Sequence, residues 1–185
     1  MNICGIIMAA GEGRRAGGAK LSRIINNKPM LEWVVETAIS SKLTDIILVT
    51  GHERDFAERL AKKYNVRAFY NKDYASGMSS SLRCGINNLP KSAQGVAIIL
   101  GDMPFLSHHT VDLLIDCFCE LKKGIIIPVY YGKKGHPPIM STKYVAEVLE
   151  VSGDKGAREV IGRHQDDIAY IEVDDPGTIK DIDFF

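Results

Sequence analysis

The sequence has no apolar run long enough to cross a membrane as a helix. Its longest, Ile3 to Ala10 and Val96 to Leu100, fall far short of the roughly 20 residues such a span needs. No basic segment precedes the first run as a secretory signal requires, so a cytoplasmic protein without membrane attachment is expected. Cysteine is sparse, at positions 4, 84, 117 and 119, and the one close pair is C-x-C, which is neither a redox nor a zinc spacing. Core thiols are expected instead. An excess of one charge is also missing: Lys plus Arg and Asp plus Glu each number 23, which excludes a global field for nucleic acid or acidic lipid. Repeats, linkers and low-complexity tracts are absent.

What is present points to one domain: 185 residues, 45% of them hydrophobic, suffice for a sizeable core. Apolar runs bounded by turn residues recur at Ile3 to Ala9, Ile46 to Thr50, Val66 to Tyr70, Val96 to Leu100, Ile125 to Val129 and Ile168 to Val173. Their continuous character predicts strands buried on both faces. Between them lie helical spacings through Met30, Leu31, Val34, Val35 and Ala38, through Phe56, Leu60 and Tyr64, and through Val111, Leu114, Ile115 and Phe118. Pro29 is suited to open the first helix, Ser107 to cap the third, and Gly51 and Gly124 to make turns. Strand and helix alternating in this way predict a three-layer α/β/α domain with a mainly parallel, Rossmann-like sheet. A ligand is then expected beyond the carboxyl ends of the strands.

The first strand runs into MAAGEGRRAGGAK, residues 8 to 20, rich in glycine and positive charge. A Walker loop needs Lys and Ser/Thr directly after its last glycine, whereas Gly18 is followed by Ala19, Lys20 and Leu21. A dinucleotide fingerprint needs an acidic residue at the end of the next strand, where Thr50 and Gly51 stand. The remaining functional reading is a phosphate cradle, with backbone N–H groups freed by glycine and with Arg15 and Lys20 neutralising a triphosphate. A solvated surface loop is the alternative. The strand at 96–100 ends in LGDMPF, where the Asp102 carboxylate is suited to hold Mg²⁺ against phosphate oxygens or simply to form a turn.

Together these residues resemble the MobA-like nucleotidyltransferase family, whose first loop reads [LT]-A-A-G-x-S-x-R-M-G-x-x-K and whose metal site lies in G-D-x-P. The matching positions are Ala9, Ala10, Gly11, Arg15, Gly17 and Lys20, then Gly101, Asp102 and Pro104. GHPP at 135–138, GDKGAR at 153–158 and DDPGTIKDID at 174–183 are similar to segments of its molybdenum cofactor cytidylyltransferase branch. Met8, Gly13 and Ala16 depart from the commonest family residues.

The resemblance implies transfer of CMP from CTP to the phosphate of molybdopterin, with release of pyrophosphate, for a molybdenum hydroxylase client. Ala9, Ala10, Gly11, Gly13 and Gly101 would then line the nucleotide, and Arg15 and Lys20 its triphosphate. Asp102 and Asp183 would hold Mg²⁺. The double alanine at 9 and 10 leans toward CTP, since guanylyltransferases of the family usually carry A-G-G there. An acceptor side is implied at Ser79, Ser80, Ser81, His136, Asp154 and Arg158. For these the alternatives are N-caps at the serines, a turn hydrogen bond at His136, a cap of the next helix at Asp154 and a surface ion pair at Arg158. His108, His109, Cys117 and Cys119 match no closed tetrahedral zinc spacing. Rival functions are nucleotidyl transfer to another phosphate acceptor or from GTP, a pterin-binding chaperone, and a flavin or nicotinamide oxidoreductase on the same scaffold.

Overall fold

The computed structural model describes residues 1–13 and 18–182, so Arg15, Gly17 and Asp183 lie outside the described residues. Its elements are β1 (Ile3–Ala9), β2 (Ile24–Ile25), β3 (Lys28–Pro29), α1 (Met30–Ser40), β4 (Asp45–Thr50), α2 (Arg54–Lys63), β5 (Arg67–Tyr70), α3 (Met78–Asn87), β6 (Gly95–Leu100), α4 (His108–Glu120), β7 (Ile125–Tyr130), β8 (Lys133–Lys134), β9 (Ile139–Ser141), α5 (Val145–Glu150), α6 (Arg158–Arg163) and β10 (Ile168–Glu172). The main sheet has the order β10-β7-β9-β6-β1-β4-β5, with β8 on β7. Pairs β1/β4, β1/β6, β4/β5 and β7/β10 are parallel. The short β9 lies antiparallel between β6 and β7.

Strand alternation sends successive side chains of β1 to opposite faces. Ile3, Ile7 and Ala9 join a core with α1 and α4, whereas Cys4, Ile6 and Ala10 join a second with α3 and α6. The domain is therefore the expected three-layer α/β/α sandwich. Ser107 caps α4, accepting from His109 N, and Pro29 directly precedes α1. No helix among the described residues is long and apolar enough to cross a membrane.

Three expectations need correction. The edge strands β5 and β10 are partly exposed, because each has a neighbour on one side only. The Ile139–Ser141 strand was not anticipated, although Ile139 and Met140 are fully covered in the sheet centre. Cys119 is exposed on α4 rather than in the core, while burial pushes the Cys4 thiol up to about 12.

Candidate active site

A cavity of about 600 Å³ opens beyond the carboxyl ends of β1 and β6. The parallel pairing of these strands brings the two sequence motifs together, since Met8 registers with Leu100. Met8, Ala10, Gly11, Gly13, Lys20, Leu100 and Asp102 form one wall; Tyr74, Ala75, Gly77, Met78, Ser81 and Asp154 form the other. Ala9 is buried at the end of β1, beneath this wall. Glu12 and Leu21 also border it.

Lys20 Nζ donates to Asp102 Oδ2 at 2.7 Å. The lysine is 7% exposed, so its charge needs a partner, whereas a quarter of the Asp102 side chain is open to the cavity. Local backbone sets this pair. Gly13 adopts φ +56°, and a Cβ there would stand 2.9 Å from Lys20 Cβ, so glycine lets the loop fold over the lysine stem. Gly18 N donates to Gly13 O at 3.1 Å. Beyond the lysine, Leu21 is buried, and the Glu53 carboxylate accepts from Leu21 N at 2.7 Å and Ser22 N at 3.0 Å. On the other side Gly101 N donates to Met8 O at 3.0 Å, and buried Met103 and Leu106 anchor the loop that carries Asp102.

Asp102 is a hard oxygen donor beside the Lys20 ammonium. This suits a Mg²⁺ ion, which takes one or two carboxylates and fills its other positions with water and phosphate oxygens. Among the described residues no group of three or more His, Cys, Asp and Glu forms an all-protein metal cage. Ile182 N donates to Asp102 O at 3.1 Å, bringing the C-terminal segment to this loop.

The acceptor-side residues divide. Ser81 lines the cavity and accepts from Asn71 Nδ2 at 3.0 Å. Ser80 accepts from the same amide and donates to the carbonyls of Asp73 and Gly77. Ser79 is buried and accepts from Gly156 N at 3.1 Å, joining α3 to the turn before α6. None of the three is an N-cap, because Gly77 holds that position and all three serines lie inside α3. Asp154 does cap a helix, but a different one from that expected: its Oδ1 accepts from Met78 N at 3.2 Å, across the cavity wall, at the start of α3.

Arg158 is exposed at the start of α6 and lies outside the cavity lining. His136 is half-buried, its backbone N–H bonds Thr178 O at 2.7 Å, and its Nδ1 is enclosed without a protein partner. The backbone bond therefore reaches the C-terminal segment, not a local turn. Burial lowers the His136 pKa; the Asp102 carboxylate opposes the shift and Arg158 adds to it, so all three groups share one electrostatic neighbourhood.

Sequence reading missed Glu53, Asn71, Tyr74 and Met78. Glu53 had a weak signal in its place just past the end of β4, at the ligand-binding end of the sheet. Asn71 likewise follows β5 directly.

Comparison with known proteins matches residues 5–168 to the MobA-like NTP transferase domain. A molybdenum cofactor cytidylyltransferase from Escherichia coli is 28% identical over 188 residues, covering 96% of this chain and 89% of its own. The nicotine blue oxidoreductase of Paenarthrobacter nicotinovorans is 27% identical over 191 residues, covering 98% and 92%. The crystal structure of Rv0371c from Mycobacterium tuberculosis covers all of this chain and 94% of its own, with a TM-score of 0.88 at 22% identity. A manganese complex of that protein covers 94% and 89%, with a TM-score of 0.80 at 21% identity. At such identities the likeness to the solved structures is one of fold.

Proposed function

The chain belongs to the MobA-like NTP transferase family, and from that membership we propose that it transfers CMP from CTP to the phosphate of a molybdopterin-type pterin, releasing pyrophosphate. The observation that carries this reading is the Lys20–Asp102 pair in the lining of a cavity to which Ala10, Gly11 and Gly13 also contribute. The 28% identical E. coli cytidylyltransferase supports the choice of nucleotide and acceptor, and the manganese complex of the M. tuberculosis protein supports a divalent ion.

The chemistry asks little of a general base. A phosphate monoester is largely dianionic at neutral pH, its second pKa being about 6, so an acceptor oxygen attacks the α-phosphorus directly. The P–O bond to the β-phosphate breaks in line, and its electron pair leaves on pyrophosphate. The obstacles are repulsion between anions and charge growing on the leaving group, both met by fixed cations. The Lys20 ammonium exchanges the Asp102 carboxylate for a phosphate oxygen, with Arg15 assigned to the same triphosphate. Asp102, joined by Asp183, would hold Mg²⁺, which would supply positive charge against the triphosphate. Ser81 and Asp154 lie on the opposite wall and are assigned to the acceptor with Ser79, Ser80, His136 and Arg158. A cytoplasmic setting accords with four free thiols, and the product would pass to a molybdenum hydroxylase client.

The test is a thermal-shift panel of CTP, GTP, UTP, ATP and NADPH with and without Mg²⁺, followed by pyrophosphate release with a pterin phosphate. A ligand at 100 times its Kd adds about 2.7 kcal/mol. Mg²⁺-dependent stabilisation led by CTP, with release dependent on both substrates, is expected. Stabilisation by NADPH alone, without pyrophosphate, would overturn the proposal in favour of a redox activity.

A further inference from the structure

The turn from β4 into α2, residues 51–53, grips the glycine-rich segment at both ends. At the entrance His52 N donates to Ala10 O at 3.2 Å. Gly51 lies so close beneath that a Cβ would stand 2.4 Å from the Ala10 carbonyl oxygen. At the exit each oxygen of the Glu53 carboxylate takes one backbone N–H, Leu21 at 2.7 Å and Ser22 at 3.0 Å. These are the two peptide groups that follow Lys20. On the other side of the same segment Leu21 O accepts from Leu31 N at 3.1 Å, at the start of α1. The backbone next to the lysine is thus held from two helices, by its donors and by its acceptor.

The choice of a carboxylate for this task is informative. A carboxylate bonded to the two peptide groups that follow Lys20 places a negative charge near the residue proposed to meet a polyanion, so on electrostatics alone a neutral residue would serve better there. Two charge-assisted bonds to successive N–H groups are what only a carboxylate provides, since an amide offers one acceptor oxygen and places a donor against the other N–H.

We infer that Glu53 is the positioning residue that sets Lys20 against the triphosphate, acting through the Leu21 and Ser22 peptide groups. Its ligand rests on the nucleotidyl-transfer reading, whereas its hold on Lys20 does not. Positioning and simple repulsion predict opposite signs for the loss of the negative charge.

The experiment compares wild type, Glu53→Gln and Glu53→Asp in two measurements: calorimetric binding of inorganic tripolyphosphate with Mg²⁺, and the rate at which Lys20 is acylated, read by mass spectrometry. The aspartate keeps the charge but draws the carboxylate back, and it carries the test if the glutamine variant does not fold. Tripolyphosphate affinity is expected to fall about tenfold in both variants, as loss of a charge-assisted bond implies, with Lys20 acylated severalfold faster. Unchanged or tighter binding in the variants would overturn the inference, whatever the acylation rate. If wild type binds no tripolyphosphate, the nucleotidyl reading fails separately, and the acylation rates alone then decide whether Glu53 holds Lys20: faster in the variants upholds it, equal rates refute it.

Discussion

Lys20 shows how much one residue is asked to do. An ammonium 7% exposed must keep a counter-charge, and Asp102 provides it while remaining partly open to the cavity. The two carry their charges side by side in one wall of the cavity, so removing either has separate consequences for stability and for turnover. Asp102→Ala is expected to lower kcat/KM by about 10²–10³, with pterin affinity little changed, because its effect falls on charge that develops in the transition state. The same variant should lose about 1–2 kcal/mol of stability by urea denaturation, less than a fully buried pair would, since water reaches the site. Wild-type turnover with Mg²⁺ as the sole metal would refute the assignment. Lys20→Arg is expected to be nearly as inactive as Lys20→Ala, because a planar guanidinium presents its charge over a wider fork than the compact ammonium that meets Asp102 at 2.7 Å. Pyrophosphate release from the two variants checks this, and recovery to near wild type would show the site to need only a positive charge.

Among the elements, α3 depends on its neighbours to begin. Its first residue, Met78, has its N–H bonded by Asp154 within the same cavity wall, and Ser79 is tied to Gly156, so the start of the helix and the GDKGAR segment are one unit. Asp154→Ala is expected to destabilise the fold by about 1 kcal/mol and Asp154→Asn by much less, because the amide keeps an acceptor for the first N–H of the helix, as a capping side chain does. Equal losses in the two, measured by chemical denaturation, would mean that charge rather than the cap matters. This contact explains what could be read in advance and what could not. The runs of β1, β4, β6 and β7 and the spacing of α1 and α4 were legible because burial repeats along each element. The Ile139–Ser141 strand was not, since three residues cannot display a period of two. Lys20 and Asp102 were each visible in their own loops, and the strand–helix alternation placed both at one end of the sheet; their direct contact required the β1–β6 register. Glu53 meets Leu21 and Ser22 across roughly thirty residues of chain, and nothing in a local pattern announces such a bond.

At the scale of the molecule the charges balance, so its pH response comes from a few groups whose environments differ from water. Four carboxylates have lowered pKa values: Glu32 through Lys63 and Tyr64, Glu36 through Lys28 and Tyr64, Asp167 through Lys143 and Tyr144, and, at the surface, Glu159 through Lys155 and Arg163. Burial lowers His136 in the same direction. For each of these the unfolded chain binds the proton more readily, so their stabilisation is present above the unfolded pKa and lost as pH falls toward the folded one. His136 therefore acts first, below about pH 6.5, and the carboxylates follow below about pH 4. Cys4 works oppositely: burial pushes its thiol up to about 12, so its contribution is full below the unfolded pKa of about 8.5 and is lost as pH rises toward the folded value. Stability without ligand is thus expected to be flat between about pH 6.5 and 8.5, with an acid limb that has a shoulder. Urea midpoints from pH 3 to 10 check this. His136→Gln should remove the shoulder just below neutrality and leave the lower limb, while Cys4→Ala should reduce the alkaline loss without abolishing it, because burial raises the Cys84 and Cys117 thiols as well. A shoulder that persists in His136→Gln would place the titration elsewhere and leave the buried imidazole without a part in it.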